Sequence, residues 1–308
     1  MFKPTVHSYF SGAGLMDTGL IFGGLPIARS FELDPLACKV QRDNLGDHVE
    51  NVDVTQLCVT GQGEADVIIG TYPCTKYSNI ADIKGTRTGD DLFLHFFRHI
   101  ALMRPEVYVV ENVPGMTKFP VVMEAMTQLP DYYVTTFNPV RAEHMVPQRR
   151  DRLIIMGSRR PFTWNAPDKG KVPSLMSLLE RDPEIVIPPS VYARLNGQYR
   201  DKPIISDPFK GDIAPTCLAH YAKDKGTRLV IDPVTRKPRP YTVREYARLM
   251  GLPDFFTFNA PDSDAYRMIG NGVVFHKGVW VANEIVRYFS HSHRQSRPLT
   301  RAASHQNV

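Results

Sequence analysis

Cysteine is scarce: there are four in 308 residues, Cys38, Cys58, Cys74 and Cys217. None forms a C-x-x-C pair and none stands near a histidine at zinc-ligand spacing, which argues against a disulfide scaffold and against a structural metal. No apolar run approaches the roughly 18 residues of a membrane span. The first residues, Met1-Phe2-Lys3-Pro4, lack the apolar stretch of a secretory signal. There is no internal repeat and no low-complexity block. The expectation is a cytoplasmic chain whose thiols stay reduced. What is present is ordinary globular material, 43% apolar and 22% charged, which excludes a disordered chain. A net charge of +5 permits a polyanionic partner without requiring one.

The first half alternates short apolar runs with amphipathic stretches. Strands are predicted at 6–10, 27–31, 48–54, 65–70, 107–110, 132–137 and 153–157, with helices from Leu15, from Pro35, over 92–102 and over 121–129. Pro35 suits a helix start, where its missing N–H has no helical acceptor. Such alternation indicates a doubly wound α/β sheet. From 158 to 239 prolines are frequent and periodicity is weak; a helix at 173–179 and a strand at 227–231 are the clearest elements. Periodicity returns over 242–250, ended by Gly251, and a last helix is predicted over 274–289. The expected organisation is an α/β domain over 1–175, a smaller irregular domain over 176–260, a segment over 261–290 that completes the first domain, and a disordered tail over 291–308.

Open parallel sheets build their sites at carboxyl strand ends, so polar residues there carry weight. Ser11-Gly12-Ala13-Gly14 lies between a strand and a helix, where backbone N–H groups can approach a ligand; a purely structural turn is the alternative. Glu32 and Asp53 end the next two strands, as ligand-holding acids or as simple caps. Cys74 follows Pro73 at the end of the 65–70 run. A small buried hydrophobe is the commoner fate of such a cysteine, but its polar surroundings and Lys76 suit a thiolate. The stretch 75–91 has the composition of a loop that closes over a site. Glu111 ends the next apolar run and is followed by Asn-Val-Pro-Gly; a plain strand cap is again the alternative. Gln148, Arg150 and Arg152 share one face of an extended segment. They need a carboxylate, a phosphate or a base edge, unless they merely salt-bridge an edge strand.

Together these residues resemble the C5-cytosine DNA methyltransferases of bacterial and phage type over nearly the whole chain. The matching blocks, in family order, are Tyr9-Phe10-Ser11-Gly12-Ala13-Gly14, Glu32-Leu33-Asp34-Pro35, Asp53-Val54-Thr55, Pro73-Cys74 with Ser78, Glu111-Asn112-Val113, Gln148-x-Arg150-x-Arg152, the Thr242-x-Arg244-Glu245-x-x-Arg248-Leu249 helix, and Gly270-Asn271-Gly272-Val273. The resemblance implies a Rossmann-like, S-adenosylmethionine-dependent methyltransferase fold with a target-recognition domain. Phe10, Ser11, Gly12, Gly14, Glu32, Leu33, Asp53, Val54, Pro73, Asn271 and Val273 would surround the cofactor. Within that set Glu32 would take the ribose hydroxyls, Asp53 the adenine amino group, and Leu33 would pack on the adenine. Cys74, Glu111, Arg150 and Arg152 would be the catalytic group. Ser78, Gln148, Gln198 and Thr216 would meet double-stranded DNA. The chain departs from the family pattern at Thr75, where glutamine is usual, at Leu15, where a second glycine is common, and at Gly272, where serine is frequent.

The chemistry is coherent with those roles. Cytosine C5 is too weak a nucleophile until a thiolate adds at C6. Charge then develops over N3 and O2, which a neutral Glu111 and a cationic Arg152 would stabilise. The base must first leave its stack. The implied setting is restriction–modification or phage defence, by a stand-alone, monomeric, nucleoid-associated enzyme, with any cognate restriction endonuclease as a separate protein. Three competitors remain at this level: an RNA (tRNA) cytosine-5 methyltransferase, a non-catalytic DNA-binding regulator, and a nicotinamide-dependent oxidoreductase. The regulator has no need of Cys74, Glu111 and Arg152 together, and the oxidoreductase leaves Pro73-Cys74 unexplained.

Overall fold

Seven strands form one sheet: β1 (Val6–Tyr9), β2 (Arg29–Glu32), β3 (Val49–Asn51), β4 (Val67–Gly70), β5 (Val107–Asn112), β6 (Tyr133–Arg141) and β7 (Asp151–Ser158). The computed structural model describes residues 3–73, 92–181, 183, 185 and 187–295, with backbone alone for 292–295. The strand order is β3-β2-β1-β4-β5-β7-β6. β1 to β5 pair in parallel, and β7 runs antiparallel to both β5 and β6. The sheet is therefore the doubly wound mixed sheet expected from the sequence.

The helices are α1 (Leu15–Phe22), α2 (Pro35–Leu45), α3 (Leu92–Met103), α4 (Pro120–Thr127), α5 (Leu175–Leu178), α6 (Pro189–Asn196), α7 (Val243–Leu249), α8 (Asp262–Asn271) and α9 (Phe275–Gln295). Alternation along each strand sends neighbours to opposite layers. Val67, Ile69, Val107 and Val109 pack with Met16 and Leu20 of α1 and with Trp280 and Ile285 of α9. Ile68, Tyr108 and Val110 pack with Phe96 and Ile100 of α3 and with Val122 and Met126 of α4. α1 and α9 meet backbone to backbone: a Cβ on Gly19 would stand 2.3 Å from the Phe275 carbonyl oxygen, and one on Gly278 would stand 2.6 Å from that of Met16.

Local signals act as read. Asp34 caps α2 through the N–H groups of Leu36 and Ala37, with Pro35 at the first position. α7 opens on a capping box between Thr242 and Glu245 and is followed by Gly251 at φ 76°. Four elements were not foreseen: α6, α8, and the outer strands of a second sheet. That sheet comprises β8 (Ile204–Ser206), β9 (Arg228–Ile231) and β10 (Pro238–Arg239), in the order β10-β9-β8. The last helix also runs to Gln295, so the tail expected from 291 begins with helix.

The irregular region shares a core with the α/β part. One buried cluster joins Ala13, Leu15 and Val40 to Tyr221, Tyr241, Tyr246 and Leu249. The boundary expected at 175–176 is crossed by this packing.

Candidate active site

The carboxyl ends of β1, β2 and β3 form one rim. After β1 the chain turns sharply, with positive φ at Phe10, Gly12 and Gly14. A Cβ on Gly14 would lie 2.8 Å from Gln41 Cγ, and its φ of 80° is unfavourable for any L side chain. Glu32 Oε2 accepts the Gly12 N–H and Oε1 accepts the Asp34 N–H, both at 2.8 Å. Each oxygen keeps a lone pair for a ligand hydroxyl. Leu33, next in the chain, is 64% exposed, an apolar surface at a polar rim. Asp53 accepts the Thr55 N–H, which holds its carboxyl below the usual range. Val54 and Val273 are buried, while Pro73 and Asn271 are exposed. The open space beside Gly12, the half-used carboxylate of Glu32 and the bare Leu33 fit a nucleoside cofactor such as S-adenosylmethionine.

Two of the departures from the family pattern meet here. A Cβ on Gly272 would lie 2.3 Å from Leu15 Cδ2 and 3.1 Å from Leu15 Cγ. Leu15 occupies the space that a serine side chain at 272 would need. The two departures are therefore neighbours in space.

Beneath the rim lies a buried carboxylate. Asp17 accepts from the Ser8 and Ser30 hydroxyls and from Gln41 Nε2, and the Ser11 hydroxyl donates to Gln41 Oε1. Burial pushes the Asp17 carboxyl up. This network carries the Ser11 turn on a polar post within the sheet.

The second half of the site is built by an antiparallel pairing. β7 runs against β5, so its first residues lie beside the last residues of β5, with Asn112 opposite Leu153. Glu111, 6% exposed, consequently meets Arg152, with Nε 2.9 Å from Oε1. Asn112 does two jobs: its Oδ1 accepts the Val113 N–H and its Nδ2 donates to the Tyr72 carbonyl at 3.2 Å. That bond ties the end of β5 to the segment leading into Pro73-Cys74. Cys74, Ser78 and the 75–91 stretch lie outside the described residues. Cys38 and Cys217 are fully buried, and burial pushes their thiols up to about 11 and about 12, so neither is a reactive thiolate.

The 148–152 segment needs a correction. Its alternation is real, but the shared face points inward at its first two members. Gln148 is 0% exposed; its Nε2 donates to the Leu249 carbonyl and its Oε1 accepts the Cys217 N–H. Arg150 is 2% exposed and donates to the carbonyls of Cys217, Gly270 and Gly272. Gln148 is thus turned away from the surface, and the Arg150 guanidinium, which lines the cleft beside Arg152, is engaged by backbone carbonyls. Long polar side chains found backbone carbonyls as partners, a possibility residue type alone does not reveal. Thr216 donates to the Arg149 carbonyl at the edge of a cleft of about 510 Å³, whose other exposed or half-exposed walls include Arg141, Glu143, Arg149, Asp151 and Arg152. Arg141 and Arg149 were missed as surface cations beside this site. Gln198 is exposed in the turn after α6.

Comparison with known proteins places the chain in a family. The family model described as C-5 cytosine-specific DNA methylase matches residues 5–192 and 196–287. The Type II methyltransferase M.NgoFVII of Neisseria gonorrhoeae is 26% identical over 346 residues, covering 95% of this chain and 89% of its own length. The Type II methyltransferase M.Eco47II of Escherichia coli is 29% identical over 333 residues, covering 92% and 78%. Among solved structures, the Entamoeba histolytica methyltransferase EhMeth superposes with a TM-score of 0.77 at 18% identity, over 95% of this chain and 99% of that one, a likeness of fold. A family model that spans nearly the whole chain, over a sheet whose strand ends carry the matching motifs, means that this chain belongs to the C-5 cytosine-specific DNA methylases and is a DNA (cytosine-5)-methyltransferase.

Proposed function

We propose that this enzyme methylates C5 of a flipped-out cytosine in duplex DNA through a covalent link between Cys74 and C6. The observation that carries the reading is the Glu111–Arg152 pair, a buried carboxylate and a half-buried guanidinium at the carboxyl end of β5, tied by Asn112 to the segment that leads to Cys74. The Cys74 thiolate adds to C6 and moves the ring's electron pair toward C5. A proton or hydrogen bond from Glu111 meets the charge that develops at N3, and Arg152 fixes the Glu111 carboxyl. S-adenosylmethionine, which the Phe10–Gly14 turn, Glu32, Leu33 and Asp53 would hold, would supply the methyl group to C5 and depart as S-adenosylhomocysteine. Loss of the C5 proton to a base then restores the C5–C6 double bond as Cys74 leaves. None of this is possible inside a stack, so the base must swing out. The cleft beside Arg152 is open and lined mainly by charged side chains. Gln198 and Thr216 remain the proposed contacts to DNA, and Ser78 is proposed with them from the sequence.

The Type II relatives support a restriction–modification setting, with an endonuclease as a separate partner. Among the described residues no helix is long and apolar enough to cross a membrane; we place the enzyme in the cytoplasm, on DNA, as a monomer. Bisulfite sequencing of plasmid DNA after expression tests the reading and reports the target motif. Unmodified cytosine throughout, with the purified enzyme inert on varied duplexes, would overturn it. Label appearing in tRNA but not in duplex DNA would reassign the substrate. Cys74→Ser is expected to abolish turnover while cofactor binding persists; full activity in that variant would reject the nucleophile.

A further inference from the structure

One buried cation plays no part in the mechanism above. Lys277 sits in the first turn of α9 and is 0% exposed. This is a poor place for it. A buried ammonium costs several kcal/mol in lost hydration, and the positive end of the helix dipole disfavours a cation there. Burial, with Arg152 and Arg150 nearby, holds Lys277 well below the usual lysine range, and Glu111 opposes that shift. An apolar side chain would fill the position more cheaply, so the amine calls for a reason.

The reason is in its partners. Nζ donates to the carbonyl of Val140 at 2.7 Å and to that of Arg150 at 3.2 Å. These carbonyls lie where β6 and β7 come back into step, just past the register shift between Phe137 and Val140. Val140 stands opposite Arg152 there, and the Arg150 carbonyl also accepts the Ala142 N–H. Lys277 adds a donor from outside the sheet to a carbonyl of β6 and to the one just before β7. The tie is also reciprocal. The strand sends Arg150 to the carbonyls on either side of Asn271, and the helix after that turn sends Lys277 back to the strand.

We infer that Lys277 is a positioning residue for the base-activating pair. By holding the carbonyls of Val140 and Arg150 it sets where β7 begins, and so where the Arg152 guanidinium meets Glu111. It also joins the Asn271 turn on the cofactor side to the strand that carries Arg152. The inference rests on the methyltransferase reading of the site.

The test is Lys277→Met, similar in length and without the amine, with Lys277→Gln as a second variant that keeps a donor. Wild-type enzyme methylating duplex DNA is the control; if it fails, the reading of the site fails and not the role of Lys277. The measurements are kcat, the Kd values for S-adenosylmethionine and for DNA, and the thermal midpoint. For Lys277→Met we expect kcat to fall tenfold or more, with both Kd values within about threefold of wild type and a midpoint unchanged or raised. Lys277→Gln should recover part of kcat. Unchanged kcat would overturn the inference. So would a loss of kcat that tracks lower stability and weaker cofactor binding, or failure of both variants to fold, because each makes Lys277 merely structural. If only Lys277→Met fails to fold, Lys277→Gln decides by the same split between kcat and binding.

Discussion

The parallel half of the sheet and the 158–239 region are held together in different ways. β1, β4 and β5 are buried at every position, and the helices on either side complete their layers. Of the three residues of β8, only the last is buried. The second region is held instead by a few polar and aromatic joints. Arg239 pairs with Asp232 at 2.6 Å and with Glu245 at 2.7 Å, all almost fully buried. Tyr221, Tyr241, Tyr246 and Tyr266 pack ring against ring above them. A continuous apolar layer holds one half; specific contacts with that half's core hold the other.

The largest effect should come from breaking the polar joint. Arg239→Ala leaves Asp232 and Glu245 buried without their cation, and we expect a loss of about 3–5 kcal/mol in denaturant unfolding. Because the core is shared, the transition should stay single. A separate early transition that leaves cofactor binding intact would make the two regions independent units and break the comparison.

The apolar half has its own weak points, and acid should find them. His7 and His99 are buried beside Tyr9, and neither ring nitrogen of His99 has a hydrogen-bond partner. Burial lowers both imidazoles to about 4 from 6.5. Between those values the unfolded chain binds the proton and the folded one does not. Their stability contribution is therefore present above pH 6.5 and lost as pH falls toward 4, on the order of 3 kcal/mol for each. His99→Phe should be neutral or stabilising at pH 7 and should flatten this slope; an unchanged slope would place the acid sensitivity elsewhere.

A smaller effect is expected where the two halves touch the cofactor turn. Gly272→Ser alone should cost about 1–3 kcal/mol through the clash with Leu15. Adding Leu15→Ala should recover much of that loss. Additive costs would mean that the two positions are uncoupled.

The smallest and most discriminating pair is two glutamines. Gln148→Ala removes buried bonds to Leu249 and Cys217 and should cost about 1–3 kcal/mol of stability. Gln198→Ala should leave stability within about 0.5 kcal/mol and act only on DNA affinity, read by titration with duplex. The reverse pattern would return Gln148 to the DNA surface.

These pairs also mark what a sequence can disclose. Strand ends were legible because an apolar run followed by an acid or a glycine has few other meanings, so Glu32, Asp53 and Glu111 could be put on one sheet edge in advance. The antiparallel turn of β7, which brings Arg152 back to Glu111, left no local trace. The 158–239 region was opaque because its anchors, Tyr221 and Tyr241, answer to a core supplied by distant residues and so follow no local period. α6 hid behind prolines at 188 and 189, and α8 behind a start of Asp262-Ser263-Asp264 that reads as loop. Gln148 and Arg150 misled for the opposite reason: their type suggests a surface, while their partners are carbonyls that only the fold assembles. Asn112 and Lys277 were hidden in the same way.

The contact of α1 with α9 has a consequence in time. Gly19 and Gly278 let the first and last helices touch through their backbones, and α1 follows directly from the Phe10–Gly14 turn. A chain made at about 5–20 residues per second must wait on the order of ten seconds or more between the two. Throughout that interval the turn lacks its neighbour. Emergence of α9 from the ribosome is thus the event that gives α1, and with it the turn on the cofactor side, its packing neighbour.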